Sequence, residues 1–335
     1  MHPQLRFDIQ EGSQVFEARR ATGEVAQRLG FSDVEIGEVA LAVTEAATNL
    51  VKHAQQGQLL VRALEHGSIA GLELLALDSG PGIQNVSQSL HDGFSTAGSP
   101  GTGLGALTRI AEQFDIYSLP GKGTVLRLAM WRGKAPPTPE VEIGAVCQPK
   151  SGEEVSGDDW GLATRPRKYT LTLADGLGHG PDAHKAARVA IDTLYRFPNV
   201  SPATLLENIH AAARPTRGAA VAVCELDQEQ RVCRFAGVGN IGCTVIVDTV
   251  ARHMVSHNGT VGHSVRKIQE FAAPWPQNAI LVMHSDGVST QWDLEAYPGL
   301  SARHPSLIAA VLYRDFSRHR DDATVVVATQ RRAKS

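Results

Sequence analysis

The sequence predicts a two-domain α/β (α+β) protein, and three observations carry that prediction. The chain has 335 residues, enough for about two domains with real cores. Trp131-Arg-Gly-Lys-Ala-Pro-Pro-Thr-Pro139 is a proline-rich junction near its middle, short and rather stiff. The two sides of that junction carry different motif sets, with long helical periodicity before it and many short apolar runs after it. The expected division is therefore residues 1–131, a linker 132–139, and residues 140–331.

In the first part, Leu5 to Gln10 reads as a strand and Ser13 to Leu29 as a helix, with Val15, Phe16, Arg19, Val25, Ala26 and Leu29 partly periodic and Gly30 as its stop. Ser32 to Ala54 is a long amphipathic helix. Ser32 and Glu35 form a capping-box pattern, and Ile36, Val39, Ala40, Val43, Ala46, Ala47, Leu50 and Val51 make its apolar face. Glu45, Asn49 and His53 stand four residues apart and stack in one row on the other face. An amide oxygen suits Mg²⁺ and a carboxylate one turn away can take a proton, although a solvated face would carry the same residue types. Gln58 to Leu64 and Gly71 to Leu77 read as paired strands. The second runs into Asp78-Ser-Gly-Pro-Gly-Ile83, where glycines let a ligand approach the backbone. Residues 84–103 are polar and glycine-rich and read as a mobile lid. Gly101-Thr-Gly-Leu-Gly105 then opens a helix, Ala106 to Gln113, offering free backbone N–H groups to an anion such as a phosphate. Phe114 to Leu119 and Thr124 to Met130 close the domain as a hairpin across Gly121-Lys-Gly123.

After the junction, strands are expected at Val141 to Pro149, Tyr169 to Ala174, Gly218 to Leu226, Val232 to Val238, Ile241 to Val247, Ala279 to His284 and Val325 to Ala328. Helices are expected at Asp182 to Tyr195, Thr204 to Arg214 and His304 to Phe316. Ser151 to Trp160 reads as an acidic turn leading into Gly161–Thr164. Asp175, Asp286 and Asp321 each stand at a strand end, and Asp158 and Asp159 stand beside another. One such aspartate is an ordinary turn residue. A set of them, each beside a glycine or a second aspartate, points to carboxylates that would repel one another unless cations sit among them. All-oxygen ligands favour Mg²⁺ or Mn²⁺ over Zn²⁺, and two such ions can clamp a phosphoryl group.

Composition narrows the classes further. A net charge of −3 argues against a nucleic-acid-coating protein. Hydrophobic residues at 42% and charged residues at 20% are ordinary for a globular protein, and no apolar run is long enough to span a bilayer. The N-terminus lacks the basic-then-apolar order of a signal peptide. Cys147, Cys224, Cys233 and Cys243 show no metal spacing and are expected as reduced thiols in strands, so a cytoplasmic protein is expected.

The ordered set Glu45…Asn49, Asp78-x-Gly80-x-Gly82-Ile, Gly101-x-Gly103-Leu-Gly105 and Gly121-x-Gly123-Thr resembles the ATPase superfamily of histidine kinases, gyrases and heat-shock chaperones (the Bergerat fold), over roughly residues 5–131. The text Ser95 to Gly105 resembles the anti-sigma-factor and stressosome switch serine kinases within it. The resemblance implies a two-layer α/β sandwich that binds ATP. Asn49 would hold Mg²⁺, Glu45 would be the general base for an acceptor serine, and Asp78 would accept the adenine amino hydrogen bond. Gly80 and Gly82 would line the base pocket, and Gly101, Gly103 and Gly105 would wrap the phosphates.

Ser-Gly-Asp158, Asp175-Gly-Leu-Gly-His-Gly, Ser-Asp286-Gly and Asp321-Asp-Ala-Thr resemble the metal-dependent protein phosphatase 2C class, in its sporulation-phosphatase (SpoIIE) and stressosome branch, over residues 141–329. This implies a β-sandwich flanked by helices, with divalent metals (Mn²⁺ or Mg²⁺) held by Asp158, Asp175, the Gly176 carbonyl, Asp286 and Asp321. It also implies in-line attack of water on a phosphoserine or phosphothreonine, with Asp175 and Asp286 central to catalysis. In a strand, Asp158 and Asp159 would point opposite ways, and the family pattern favours Asp158. Asp322 would stand outside the ligand shell. His179 reads equally as a substrate contact or a loop-structuring residue, and His284 as structural. The arginine that anchors phosphate in the eukaryotic enzymes is not visible.

Together the resemblances imply a bifunctional regulator of a bacterial partner-switching pathway. Its substrate would be a STAS-domain (anti-anti-sigma) protein, with a sigma factor as a further candidate partner and neither nucleic acid nor membrane as one. Two alternatives stay open: a phosphatase regulated by a non-catalytic ATP-sensing domain, and a non-enzymatic anti-sigma binding module.

Overall fold

Ser32 ends an extended stretch, and its hydroxyl accepts the Glu35 backbone N–H while the Glu35 carboxylate accepts the Ser32 backbone N–H. This reciprocal cap starts the helix on which the first part of the fold is built. A computed structural model of the chain describes residues 4–90 and 103–330. It forms two compact units. The first is Met1–Thr138 together with Tyr297–Arg314, and the second is Pro139–Ala296 together with Asp315–Ser335.

The first unit runs β1 (Leu5–Ile9), α1 (Gly12–Arg28), α2 (Asp33–His53), β2 (Gly57–His66), β3 (Ile69–Leu77), α3 (Val86–Ser89), α4 (Gly103–Ile110), β4 (Gln113–Leu119) and β5 (Gly123–Trp131). The strands form one antiparallel sheet in the order β1-β2-β3-β5-β4. Alternate residues Leu59, Val61, Leu72, Leu74, Leu126 and Leu128 face the helices and share a core with Val39, Val43, Ala46, Ala47, Leu50 and Leu107. This is the two-layer arrangement expected. Two side chains depart from the sequence reading. Val51 is 37% exposed and Phe16 71% exposed, because each lies about 100° around its helix from a buried neighbour, Leu50 and Val15. α4 begins at Gly103 rather than Ala106 and ends at Ile110, and Gln113 already belongs to β4. The expected lid contains the short α3; residues 91–102, with Gly101, lie outside the described residues.

The other face of this sheet is also buried, and it is partly charged. Leu60, Leu75 and Leu77 alternate there with Arg62, Glu73 and Arg127. Glu73 accepts from Arg62 Nη2 at 2.6 Å, from Arg127 Nε at 2.6 Å and from the Ser306 hydroxyl at 2.7 Å. Desolvation pushes the Glu73 carboxyl upward, but the Arg62 and Arg127 charges prevail and hold it at about 2.

The second unit contains β6 (Val141–Gln148), β7 (Asp158–Arg165), β8 (Lys168–Gly176), α5 (Pro181–Arg196), α6 (Pro202–Ala212), β9 (Ala219–Asp227), β10 (Val232–Val238), β11 (Gly242–Val247), β12 (Val250–His253), β13 (Gly259–Thr260), β14 (Ser264–Val265), β15 (Phe271–Pro274) and β16 (Ile280–His284). β17 (Ala323–Gln330) completes it, while α7 (Pro305–Phe316) belongs to the first unit as far as Arg314. Two five-stranded sheets, β15-β10-β9-β8-β7 and β12-β11-β16-β17-β6, pack face to face around Leu171, Leu173, Phe235, Val245, Trp275, Leu281 and Val326. α5 and α6 cover the outer face of the first sheet through Ala187, Leu194, Leu205 and Ile209. The second unit is thus a helix-flanked β-sandwich, and the first a mixed two-layer unit. β7 starts at Asp158, not after Trp160, so the two aspartates are strand residues. β12 to β15 were not foreseen; they are short and largely exposed, and leave no apolar alternation. Cys224, Cys233 and Cys243 are buried thiols within strands, and Cys147 is half-buried.

Candidate functional site

Two sites can be built, one in each unit. In the first unit, α2 presents Glu45 and Asn49 half-buried on one row, with His53 exposed at its end. The Asn49 amide nitrogen is buried without a hydrogen-bond partner. Asp78 follows β3, and its Oδ1 accepts the Gly80 N–H at 2.7 Å. Burial raises the Asp78 carboxyl above its ordinary range, opposed by that hydrogen bond and by the Arg314 charge. The turn is held by the Ser79 N–H on the Gln55 carbonyl and the Asp78 N–H on the Thr124 carbonyl. Gly123, at φ +80°, lies so close that a Cβ would sit 2.0 Å from the Asp78 carbonyl oxygen, so glycine is required there. Gly82 lies against the Leu119 carbonyl, and Gly103 and Gly105 form the first turn of α4.

In the second unit, antiparallel pairing of β7 with β8 sets Asp158 directly opposite Asp175. Asp158 is 2% exposed. Its Oδ2 accepts the Ser285 hydroxyl at 2.6 Å and its Oδ1 has no partner. The Ser285 Oγ also accepts the Thr324 N–H at 3.0 Å, and the Ser285 N–H donates to the Thr324 carbonyl at 3.0 Å. One serine therefore ties β16 and β17 to an aspartate of the other sheet. Asp159 points away, toward Arg188 Nη1 at 3.4 Å. Asp286 Oδ2 accepts from Asn240 Nδ2 at 2.6 Å, and Asp322 Oδ1 accepts the Lys150 N–H at 2.9 Å. Asp321 is exposed. Gly176 allows the loop to close, since a Cβ there would lie 2.0 Å from the Ala183 carbonyl.

The electrostatics of this cluster are those of anions lacking a counter-charge. Desolvation, and then the charges of Asp158, Asp286, Asp321 and Asp322, push Asp175 up to about 9. Desolvation raises Asp158 to about 7 against the hydrogen bond from Ser285, and Asp286 and Asp322 are raised as well. Among the described residues no three acidic, imidazole or thiol side chains close on one point as a ready-made metal cage. The donor set nevertheless fits hard divalent cations: it is all oxygen, mutually repelling, and includes an orphaned buried carboxylate oxygen. Ions with few protein ligands and several waters need no closed cage.

Sequence reasoning missed Asn240, Ser285 and Arg318 as parts of this site. Ser285 was visible in Ser-Asp-Gly, but only the fold shows that its hydroxyl crosses to Asp158. Arg318 donates its backbone N–H to the Gly287 carbonyl at 2.8 Å, and its charge acts on Asp286. His179 bonds Glu153 at 2.6 Å across the loop. His284 is buried with its ring edge-on to Trp292.

The comparisons match each part of the chain to a known family. The model of the histidine kinase-like ATPase domain matches residues 10–130, and that of stage II sporulation protein E (SpoIIE) matches residues 165–331. The chain is 33% identical over 117 residues to the serine/threonine-protein kinase RsbT of Bacillus subtilis, spanning 35% of this chain and 88% of that protein. It is 21% identical over 141 residues to the phosphoserine phosphatase RsbX of the same organism, spanning 42% of this chain and 71% of that protein. A crystal structure of RsbX with magnesium shares the fold, with a TM-score of 0.50 at 17% identity over 58% of this chain and 98% of that one. A structure described under the bacterial stressosome aligns with a TM-score of 0.54 at 25% identity, covering 56% of this chain and 98% of that one. With a kinase relative spanned almost end to end and the SpoIIE model matched over a stretch that includes Asp175, Asp286 and Asp321 but begins after Asp158, the chain belongs to the histidine kinase-like ATPase family through residues 10–130 and carries a SpoIIE domain of the phosphatase 2C class through residues 165–331.

Proposed function

We propose that the two units exert opposite chemistry on a phosphorylatable serine or threonine of a STAS-domain partner in a bacterial partner-switching pathway, within the cytoplasm. The observation that carries the reading is the acidic cluster, in which Asp158 Oδ1 is buried and orphaned opposite Asp175. Asp158, Asp175, the Gly176 carbonyl, Asp286 and Asp321 would hold Mn²⁺ or Mg²⁺. Bound there, divalent ions would neutralise phosphoryl charge and lower the pKa of water. The chain's own part is orientation: Ser285 fixes one oxygen of Asp158, and Asn240 fixes one oxygen of Asp286. Arg318 supplies positive charge beside Asp286, where a phosphate would arrive.

In the first unit, Asp78 would take the adenine amino group and Asn49 the Mg²⁺ of ATP, with Glu45 as general base for the acceptor hydroxyl. Gly101, Gly103 and Gly105 would wrap the phosphates. RsbT is named a protein kinase and RsbX a phosphoserine phosphatase, which supports assigning both directions to one chain. No helix among the described residues is long and apolar enough to cross a membrane.

The test uses the Asp175→Asn protein, Mg-ATP and a STAS-domain protein, read by intact mass. A gain of one phosphoryl group, removed when wild-type protein and Mn²⁺ are added, supports both activities on one substrate. No gain despite measured ATP binding leaves the first unit as a sensor. No release from a pre-phosphorylated partner would refute the phosphatase assignment.

A further inference from the structure

Both ends of the Tyr297–Arg314 segment grip the turn that carries Asp78. At one end, Arg314 Nη1 donates to the Asp78 carbonyl at 2.9 Å. At the other, Lys122 Nζ stands 4.3 Å from the centre of the Tyr297 ring. Lys122 precedes Gly123, the glycine pressed against that same Asp78 carbonyl. Between these ends, Asp115 accepts from Arg303 at 3.1 Å and from the His304 backbone N–H at 2.9 Å, and Ser306 bonds Glu73. Every residue from Pro305 to Tyr313 is buried. A helix buried all round is part of a core, not a drape over it.

The chain leaves the first unit after Arg314. Residues 315–317 alone separate Arg314 from Arg318. By then the backbone is bonded beside the acidic cluster: Ser317 bridges Val288, the Arg318 N–H donates to Gly287, and the Asp322 carbonyl packs on Gly287 so closely that a Cβ there would lie 1.9 Å away. One short piece of chain is thus fixed to the Asp78 turn at one end and to the Asp286 turn at the other.

We infer that Arg314 is a positioning residue of the nucleotide site, acting through Asp78, and that nucleotide binding and divalent-metal binding at the acidic cluster are thermodynamically linked through α7 and the turn that follows it. The inference rests on the reading of the first unit as a nucleotide site. Linkage of this kind is reciprocal: whatever factor the metal applies to nucleotide affinity, the nucleotide applies to metal affinity. No new contact is needed, only that the Asp78 and Asp286 turns each have a preferred setting that the helix transmits.

The experiment titrates a fluorescent ADP analogue into the full chain by anisotropy, at fixed free Mg²⁺, with and without buffered Mn²⁺. Mn²⁺ is expected to change the Kd about fivefold or more in the wild type, and not in Asp175→Asn, which removes effects of Mn²⁺ on the nucleotide itself. ADP should shift the Mn²⁺ dependence of p-nitrophenyl phosphate hydrolysis by the same factor. Arg314→Met should weaken ADP about tenfold, the scale of one charge-assisted hydrogen bond, and abolish the shift, with Arg314→Lys restoring part of both. Lys122→Met, on an exposed side chain, should reduce the shift without disturbing the buried helix. ADP binding to the wild type with an unchanged Kd in Mn²⁺, or to Arg314→Met with wild-type affinity and only lower stability, overturns the inference and leaves the nucleotide site standing. Failure of the wild type to bind ADP at all refutes the nucleotide reading and this inference with it.

Discussion

Replacing Glu73 with glutamine keeps its shape and removes its charge, leaving the guanidinium groups of Arg62 and Arg127 buried together at 8% and 4% exposure. The cost follows in two ways. Breaking a buried pair by removing one partner costs about 3–5 kcal/mol, because the remaining charge is uncompensated. Independently, a carboxyl held at about 2 instead of its ordinary 4.5 corresponds to about 3 kcal/mol of stability at neutral pH. The sign is that of a depressed carboxyl: the contribution is complete above pH 4.5 and is lost as pH falls toward 2. Two units in one chain make a single unfolding curve ambiguous, so the assay is amide hydrogen exchange read by mass on peptides from β3, β5 and α7. At pH 7, Glu73→Gln should exchange about a hundredfold faster there, α7 included because Ser306 loses its acceptor. The gap between variant and wild type should close between pH 4.5 and pH 2. A difference below about 1 kcal/mol at pH 7, or a gap that does not change with pH, would refute the claim that this ion network holds the helix to the sheet.

Four further outcomes follow. Ser285→Ala frees the second oxygen of Asp158 and should weaken the apparent Mn²⁺ affinity in p-nitrophenyl phosphate turnover about tenfold, the scale of lost outer hydrogen bonds. Asn240→Leu releases Asp286 and should act in the same direction and on the same scale, while Asp159→Asn, facing Arg188, should leave metal affinity unchanged. Mn²⁺ at a hundred times its Kd should stabilise the second unit by about 2.7 kcal/mol in thermal unfolding, with chelator reversing the gain and Asp175→Asn abolishing it. Ser32→Ala removes the reciprocal cap of α2 and should cost about 1 kcal/mol, read as faster exchange in its first turn.

The sequence made most of this architecture legible because its elements are locally consistent. α2 carries its cap, its apolar stripe and its polar row within residues 32–54, and the aspartates of the second unit stand beside glycines that few other turns require. The pairing of Asp158 with Asp175 could not be read in the same way, since register between strands is a tertiary fact. Nor could the role of Ser285, whose hydroxyl meets a residue 127 positions away in sequence. α7 is the clearest case. The helix expected over His304 to Phe316 is present as Pro305–Phe316, but its apolar residues do not say which sheet they cover. Contacts such as Ser306 on Glu73, His304 on Asp115 and Arg314 on the Asp78 carbonyl place Tyr297–Arg314 in the first unit.

That placement bears on a difficulty in the proposed function. A kinase and a phosphatase acting together on one serine would only hydrolyse ATP, and the phosphorylated fraction of the partner would settle at the ratio of the two rates. A partner held near one-half phosphorylated carries no signal. Coupling between two sites is typically worth 1–3 kcal/mol, a factor of about 5–150. Applied to one rate alone, the lower figure moves a half-phosphorylated partner to about five-sixths, and the upper figure moves it almost fully to one state. If the linkage inferred above holds, the helix that bonds the Asp78 turn at one end and runs into the Asp286 turn at the other would supply coupling of that order. It would let occupancy of one site set the rate at the other and remove the need for separate targets. Separate targets remain the alternative if α7 transmits nothing. The two cases part on one measurement: with ADP bound, a linked chain changes its rate of phosphate release from a phosphorylated STAS-domain protein at subsaturating Mn²⁺, and the Arg314→Met chain does not.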